Sequence, residues 1–478
     1  MNQLNADLNV QPDNISWWFQ EAMAAEGELP LSIPLQGQQH ADVVVVGGGF
    51  TGLWTALLLR EKAPHLKVIL IEARLCGSGA SGMNGGKVHG YWGSLSSIAA
   101  NLGDNAALTV ASLGTRAQDA IREFSTAPKR DVWWRESGNI KVACSNTQEE
   151  KRRLELATAL RLGVPDTAVA LSKEALSEHI QSPFFRSGVY LKEGATVQPA
   201  RLARALRRAC IDAGVFLYEN TPMLGVDDGD SCRVRVRDGE ILTKQVVLAT
   251  NVALAGHNDA ARHLAVFSSY AVMSEPVDDL ENRVGWRKSE GLSDMRMFIH
   301  YFQKTKGNRV LMGSGSGPIA YGDRHNDPCV NYDKAAGMRA AVALWRLLPG
   351  LGNPRISKAW GGAVDISADR LPFFKQVGSG KIHIGCGYSG HGVNATRIGG
   401  ECLSSLVLGE KNEWTSSPFC QRTLDCFPFE PFKTYGGRLV RAAILACEEA
   451  EDYGRPAPLH ARFGAWLPKA LGIKVGRR

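Results

Sequence analysis

Long apolar runs are missing from this sequence. No hydrophobic stretch among its 478 residues approaches the roughly twenty residues that span a bilayer, so no transmembrane helix is expected. Dense runs of one charge are missing too. Lys and Arg number 55 against 48 Asp and Glu, a formal charge of +7, and no Lys/Arg block marks a nucleic-acid groove. The small excess leaves a mildly basic surface, which also attracts anionic small molecules. Paired cysteine motifs are absent. The ten cysteines, among them Cys76, Cys386 and Cys426, form no C-x-x-C and stand at no zinc spacing with histidine, so no metal site is expected. They read as reduced, mostly buried thiols of a cytoplasmic protein. The opening MNQLNADLNVQPDN has neither the basic segment nor the apolar core of a secretory signal. What is present is an ordinary globular composition, 44% hydrophobic and 22% charged, and a length that allows two or three domains.

The stretch Asp42 to Glu72, DVVVVGGGFTGLWTALLLREKAPHLKVILIE, organises the chain. Val43 to Val46 form a continuous apolar run, the pattern of a strand buried on both faces. Gly47, Gly49 and Gly52 follow at G-x-G-x-x-G spacing, then Leu53, Ala56, Leu57 and Leu59 at helical spacing, then a second strand, Val68 to Ile71, ending at Glu72. Strand, glycine triplet, helix, strand and acid in this order predict a dinucleotide site. The glycines admit a tight turn and a close phosphate, the helix N-terminus faces that phosphate, and Glu72 accepts the ribose hydroxyls. After Glu72 comes ARLCGSGASGMNGGKVHG, a loop dense in small residues that lets backbone pass close to a phosphate or a flat ring.

Elsewhere the pattern predicts helices over 95–125, 147–160, 172–180 and 334–348, and a hairpin around Gly138-Asn139 between Trp133-Trp134 and Ile140/Val142. Tyr190 to Val197 reads as a strand. Pro199 opens a helix that stops at Gly214, Val215 to Tyr218 is a strand, and Asp238-Gly239 marks a second hairpin. Val246 to Asn251 reads as another buried strand. From about 263 to 364 the texture changes to longer strands, SSYAVMSEPV, MRMFIHYFQ and RVLMGSGSG, which predict a separate antiparallel sheet. Ile382 to Cys386 leads into GYSGHGV, a second strand, glycine turn and helix. The Ser16-Trp17-Trp18-Phe19 cluster is expected to dock on the body of the protein. The end, GAWLPKALGIKVGRR, reads as a docked or frayed tail rather than a membrane-surface segment.

Taken together, VVVVGGGFTGL, Glu72, GASGMNGG, VVLATN, the W-G-G-x-x-D-x-x-x-D-x-x-P run from Trp360 to Pro372, and GCGYSGHGV resemble D-amino-acid-oxidase-type flavoproteins. Within that family the resemblance is to the glycine oxidase, sarcosine oxidase and gamma-glutamylputrescine oxidase group, and it spans about Ser16 to Gly409. It implies an α/β plus α+β fold: a Rossmann-like, doubly wound FAD domain built from separated segments (41–91, 186–262, 365–411) and an antiparallel-sheet substrate domain (92–185, 263–364). A lead-in, 1–40, precedes them and a small C-terminal helical region, 412–478, follows. By motif match, Gly47, Gly49, Phe50, Thr51, Gly52, Glu72, Ala73 and Arg74 are expected at FAD. So are Ser78, Ala80, Ser81, Asn84, Gly85, Gly86, Lys87 and Val88 of the small-residue loop, and Thr250 and Asn251. Gly387, Tyr388, Gly390, His391, Gly392 and Val393 are expected beside the flavin ring. Glycines at 82 and 362, where covalent relatives carry an attaching histidine or cysteine, imply non-covalent FAD. Met83 and Lys87 depart from the family's arginine and glutamine, and Leu311 falls where sarcosine oxidases place an oxygen-activating lysine.

The implied reaction is oxidation of a C–N bond by hydride transfer to flavin N5, giving an imine that hydrolyses. His391, Tyr301 and Arg296 are the candidate catalytic residues: His391 as proton acceptor or substrate ligand, Tyr301 as hydrogen-bonding partner, Arg296 as carboxylate ligand. For His391 a purely structural role in its loop stands equally open, and for Arg296 a solvated or salt-bridged place on its strand is the favoured reading over a ligand role. Alternation along MRMFIHYFQ places 297, 299 and 301 on one face and 296, 298 and 300 on the other. Asp365 and Asp369 are expected to hold a turn. The partners implied are a small amine and oxygen or another electron acceptor. An NAD-linked dehydrogenase leaves the second glycine loop without a role, and a non-catalytic flavin protein is the third reading.

Overall fold

The computed structural model describes residue 10 and residues 12–27 and 32–470. The valine run lies at the centre of a sheet. Strand Gly37–Val46 pairs in parallel with Val68–Ile71 on one side and Gly239–Leu248 on the other. Its side chains alternate between two cores. Val43 and Val45 pack with Leu53, Leu57 and Leu70, while Val44 and Val46 pack with Ile69, Val246 and Leu248. A strand covered on both faces has no polar side to show, hence a continuous apolar run. Phe216–Tyr218 extends the sheet past Val68–Ile71, and Ile382–Cys386 pairs in parallel with the far end of Gly239–Leu248. The Asp238-Gly239 turn joins Cys232–Val236 to Gly239–Leu248, and Met223–Asp227 and Phe373–Val377 complete eight strands. Helix Pro199–Asp212 is capped by Gln198, which accepts the Arg201 N–H at 2.9 Å, and buries Leu202, Leu206 and Cys210 against the sheet.

The second sheet has nine strands, in the order Pro12–Asp13, Ile356–Ser367, Leu264–Ser274, Val310–Ser314, His300–Lys304, Gly291–Asp294, Asn139–Ala143, Ser187–Leu191, Ala168–Leu171. It is antiparallel except where Pro12–Asp13 meets Ala359–Trp360 and Gly291–Asp294 meets Asn139–Val142. Helix Lys334–Leu347 covers it with Ala340, Leu344 and Leu347, which join Val272, Phe302 and Met312 in one core. The N-terminal helix Trp17–Glu26 starts at Ser16, whose Oγ accepts the Phe19 N–H at 3.0 Å, and Trp18 is only 1% exposed, docked as expected.

Three sequence expectations need correction. No hairpin forms at Gly138-Asn139: Asn139–Ala143 pairs instead with Ser187–Leu191 and Gly291–Asp294, so the alternation was real but the partners are distant. The strand expected over 190–197 is two, Ser187–Leu191 in the nine-stranded sheet and Ala195–Thr196 paired with Lys87–Val88. The MRMFIHYFQ strand begins only at His300, because the Asp294 carboxylate takes the N–H groups of Arg296 at 3.3 Å and His300 at 2.9 Å and holds the intervening backbone in a loop.

Helices Phe432–Asp452 and Leu459–Ala470 pack on each other, so closely that a Cβ on Gly464 would lie 2.8 Å from that of Ala443. The rest of the tail, 471–478, lies outside the described residues. Among the described residues no helix is long and apolar enough to cross a membrane.

Candidate active site

The first glycine turn leaves Gly37–Val46 at its carboxyl end. Gly47 has φ +111°, and a Cβ there would stand 2.5 Å from the Ala249 carbonyl oxygen; a Cβ on Gly52 would meet the Gly47 oxygen at 1.9 Å. Only glycine allows strand and helix this close. Helix Phe50–Lys62 therefore begins with a glycine N-cap that puts no side chain of its own over the N-terminus, where the backbone dipoles favour an anion. Glu72 stands at the end of the neighbouring strand. One carboxylate oxygen accepts the Gly48 N–H at 2.7 Å and the other the Arg74 N–H at 2.9 Å, which ties the turn to the loop and leaves acceptor capacity on both oxygens. Ala73 and Arg74 are exposed beside it. Thr250 and Asn251 follow the strand on the other side. The Oδ1 of Asn251 and the Oγ of Ser78 are buried with no partner among the described residues.

The small-residue loop is held from three directions. Ser16 Oγ donates to the Gly82 oxygen at 2.5 Å, Trp360 Nε1 to that of Met83 at 2.8 Å, and Gln303 Nε2 to that of Gly85 at 2.8 Å. Within it, Ala80–Met83 form a short helix, Ser81 Oγ accepts the Phe50 N–H at 2.8 Å, and Asn84 spends its amide on the loop's own backbone, accepting the Gly86 N–H at 2.8 Å and donating to the oxygens of Ala80 and Ser81. Val88 and the Phe50 side chain are core residues.

The second glycine turn is bound to both the first and the large sheet. The Tyr388 hydroxyl lies 2.6 Å from Thr51 Oγ1 in the first turn of helix Phe50–Lys62. The Asp365 carboxylate accepts the Gly387 N–H, and its carbonyl accepts the Ser389 N–H at 2.8 Å. Burial pushes the Asp365 carboxyl up to about 7 against the pull of the backbone N–H groups. Asp369 is buried and doubly paired with Arg422, at 2.5 and 3.1 Å. Both aspartates hold the turn. Helix Gly392–Val407 starts directly after His391.

Between these loops and the large sheet lies a cavity of about 820 Å³. Its inner end reaches Trp360, 1% exposed, and its mouth reaches Phe432, 63% exposed. Of the residues expected at the cofactor, Ala80, Asn84, Gly85 and Lys87 line it from one side, and Gly390, Gly392 and Val393 from the other. The first turn, Glu72 and Asn251 lie away from it, along the carboxyl ends of the parallel strands. Gly86, Gly387 and Tyr388 do not line it either.

All three catalytic candidates line this cavity. His391 stacks on Tyr91 with centroids 6.2 Å apart and meets His89 edge-on at 5.4 Å. Tyr301 crosses Gly313 on the neighbouring strand, so closely that a Cβ there would overlap its ring, and its hydroxyl lies 3.0 Å from Ser269 Oγ. Burial raises the phenol, which stays neutral. Arg296, 7% exposed, is committed to other groups: its Nε is 3.1 Å from Asp294, and its terminal nitrogen pairs with Asp452 of the C-terminal helix. Because the strand starts late, the expected separation of Arg296 and Tyr301 onto opposite faces does not hold. Burial favours a protonated Asp294, but His300 and Arg296 outweigh it and keep the carboxyl below its usual range. Leu311 is fully buried with Trp18, Met273 and Trp360 and does not line the cavity.

The sequence reading missed the C-terminal contribution. Glu448 accepts the Met297 N–H at 2.7 Å, Asp452 also pairs with Arg346 at 2.8 Å, and several apolar side chains of helix Phe432–Asp452 line the cavity. The spacing of Phe432, Gly436, Val440 and Ile444 marks one helical face, a signal that shows an apolar stripe but not what it lines.

Two glycine turns at the carboxyl ends of parallel strands, each opening a helix, define a dinucleotide-binding fold. The chain belongs to the FAD dependent oxidoreductase (DAO) family, whose model matches residues 42–406. It is similar to the gamma-glutamylputrescine oxidoreductase of Escherichia coli (strain K12), 27% identical over 413 residues that cover 85% of this chain and 90% of that protein. A probable oxidoreductase, OrdL, of Haemophilus influenzae is 25% identical over 418 residues, covering 85% and 90%. The fold is similar to that of glycine oxidase from Geobacillus kaustophilus, with a TM-score of 0.66 at 20% identity over 81% of this chain and all of that one. The residues present fit FAD: a helix N-terminus capped only by glycine, a two-oxygen acid with acceptor capacity, and buried polar atoms at Ser78 and Asn251 that lack partners among the described residues.

Proposed function

We propose that this enzyme oxidises the C–N bond of a small amine or amino acid, and that the resulting imine hydrolyses to an aldehyde or oxo acid plus ammonia or an amine. FAD, when bound, supplies the two-electron acceptor. Gly47, Gly49, Gly52 and Glu72 would hold its nucleotide half, and the loop at Ala80–Lys87 and the turn at Gly387–Val393 its ring. The observation that carries the reading is the convergence of His391 and Tyr301 on one cavity bounded by both loops. Tyr301, neutral and oriented by Ser269, hydrogen-bonds the substrate, and His391 offers a nitrogen to bind substrate or accept the amine proton. Arg296, already matched by two carboxylates, positions the cavity wall. The names of the relatives, which specify glutamylputrescine, glycine and sarcosine, support an amine or amino-acid substrate. The test is anaerobic addition of amines and amino acids to the yellow holoenzyme; bleaching supports the reading, and a flavin that no member of the panel reduces contradicts it.

FAD is held without a covalent bond. Gly82 and Gly362 offer no nucleophile, and burial pushes the Cys386 thiol far above its usual range. Acid precipitation is expected to release all colour to the supernatant; colour in the pellet refutes this. A dehydrogenase that passes electrons to another acceptor is favoured by Leu311, whose apolar burial leaves no cation at the place expected for the oxygen-activating lysine. Lys87 does line the cavity. Reoxidation by oxygen slower than by an artificial acceptor supports the dehydrogenase reading, and equal rates count against it.

A further inference from the structure

The region matched by the family ends at residue 406, yet the cavity continues past it. Its outer wall is built by helices Phe432–Asp452 and Leu459–Ala470, with Phe429, Phe432, Leu439, Val440, Ile444 and Leu467 turned to the space. Phe429, Phe432 and Leu439 are 75%, 63% and 59% exposed. Large apolar side chains left open beside a reaction cavity mark a surface that a ligand covers.

This wall is fixed in place. At one end Asp452 pairs with Arg296 and Arg346, and Glu448 takes the Met297 N–H. At the other, Lys433 pairs with Asp323, Arg438 Nε donates to the Ile319 oxygen at 3.0 Å, and Arg441 donates to the oxygens of Ser316 and Gly317 at 2.6 and 2.7 Å. Lys433, Arg438 and Arg441 are therefore already engaged, and between them Phe432, Leu439, Val440 and Ile444 present apolar surface to the cavity. A one- or two-carbon amine would leave this part of the cavity to water.

We infer that the C-terminal helices determine specificity by selecting a substrate whose reactive amine is followed by an extended apolar segment lying against Phe432, Val440 and Ile444. This rests on the amine-oxidising function proposed above. The chemical class is an N-alkyl or long-chain amine or amino acid, not a compact one such as glycine.

The experiment has two arms on the holoenzyme. In the first, straight-chain carboxylates of rising length, which carry no amine to oxidise, are titrated by calorimetry. Affinity is expected to rise about fourfold per methylene over the first several, from the transfer free energy of each buried CH₂. The slope is expected to flatten in Phe432→Ser and Ile444→Ser, and Phe432, being mostly exposed, can change without disturbing the fold. In the second arm, n-alkylamines of the same lengths are tested for anaerobic flavin bleaching, with the same rise in apparent affinity expected. Affinity independent of tail length in wild type, or an unchanged slope in both variants, overturns the inference. Sedimentation with anionic vesicles that Phe432→Ser abolishes, without any tail-length dependence, also overturns it and makes the wall a membrane contact. Failure of every amine to bleach the flavin contradicts the proposed function, while the calorimetric slope still decides the inference.

Discussion

Glu72 joins three things that sequence spacing alone could place: the end of a strand, the first glycine turn and the loop beyond. With both oxygens accepting backbone N–H groups at 2.7 and 2.9 Å, Glu72→Ala loses charged hydrogen bonds worth about 1–3 kcal/mol in the site as well as the proposed acceptor for FAD. A paler protein is expected, with weaker FAD affinity in a fluorescence titration of the apoprotein; unchanged affinity contradicts the assignment. Asp365 and Glu448 could not be read in this way, because their burial depends on segments far away in sequence. Both carboxyls are raised to about 7, foremost by burial. A carboxyl that binds its proton more tightly when folded contributes stability at low pH that is lost as pH rises from its ordinary value through about 7. The protein is therefore expected to unfold at lower temperature at pH 8 than at pH 5.5, beyond what other groups contribute. Asp365→Asn and Glu448→Gln, which keep an acceptor oxygen, are each expected to shrink that difference in thermal scans, and an undiminished difference in both rejects it.

At the scale of elements, the first βαβ unit was legible because every part of it is local: an apolar run, three glycines, a helical stripe and an acid. The segment 294–300 was not. It is as rich in apolar residues as a strand, but its backbone groups are taken by Asp294 and by Glu448 of a helix more than a hundred residues later, and no sequence pattern reports such partners. The same holds at Asn139, where alternation marked a strand but the neighbours proved to be Leu191 and Gly291 rather than the preceding tryptophans. The link from this segment to the C-terminal helix gives a prediction. Asp452→Asn removes the carboxylate shared by Arg296 and Arg346, and leaving a buried charge without its partner costs about 3–5 kcal/mol where burial is complete. Asp452 retains some exposure, so a smaller loss is expected. Hydrogen exchange should quicken at 295–299 and along 432–452 together; quickening of the helix alone shows that the two are not coupled.

At the scale of the whole molecule, the eight-stranded sheet presents two helix N-termini, the nine-stranded sheet supplies the wall that carries Tyr301, and Ser16 and the C-terminal helices close on the site. Ser16 fastens the small-residue loop and the C-terminal helices form the outer wall. The two sheets could be read from sequence because strand periodicity and the change of texture near residue 263 are properties of the chain itself. The cavity was only half legible. Its inner lining falls in recognisable motifs, whereas its outer wall is an amphipathic helix whose apolar face looks, in sequence, like any packed helix. The central claim is that this assembly carries electrons from a substrate C–N bond to FAD. Its most direct measurement is single turnover without oxygen, counting carbonyl product against flavin reduced. One equivalent of aldehyde or oxo acid for each flavin bleached is the result expected. Bleaching with no carbonyl product, or a flavin that stays oxidised with every amine and amino acid offered, would contradict it.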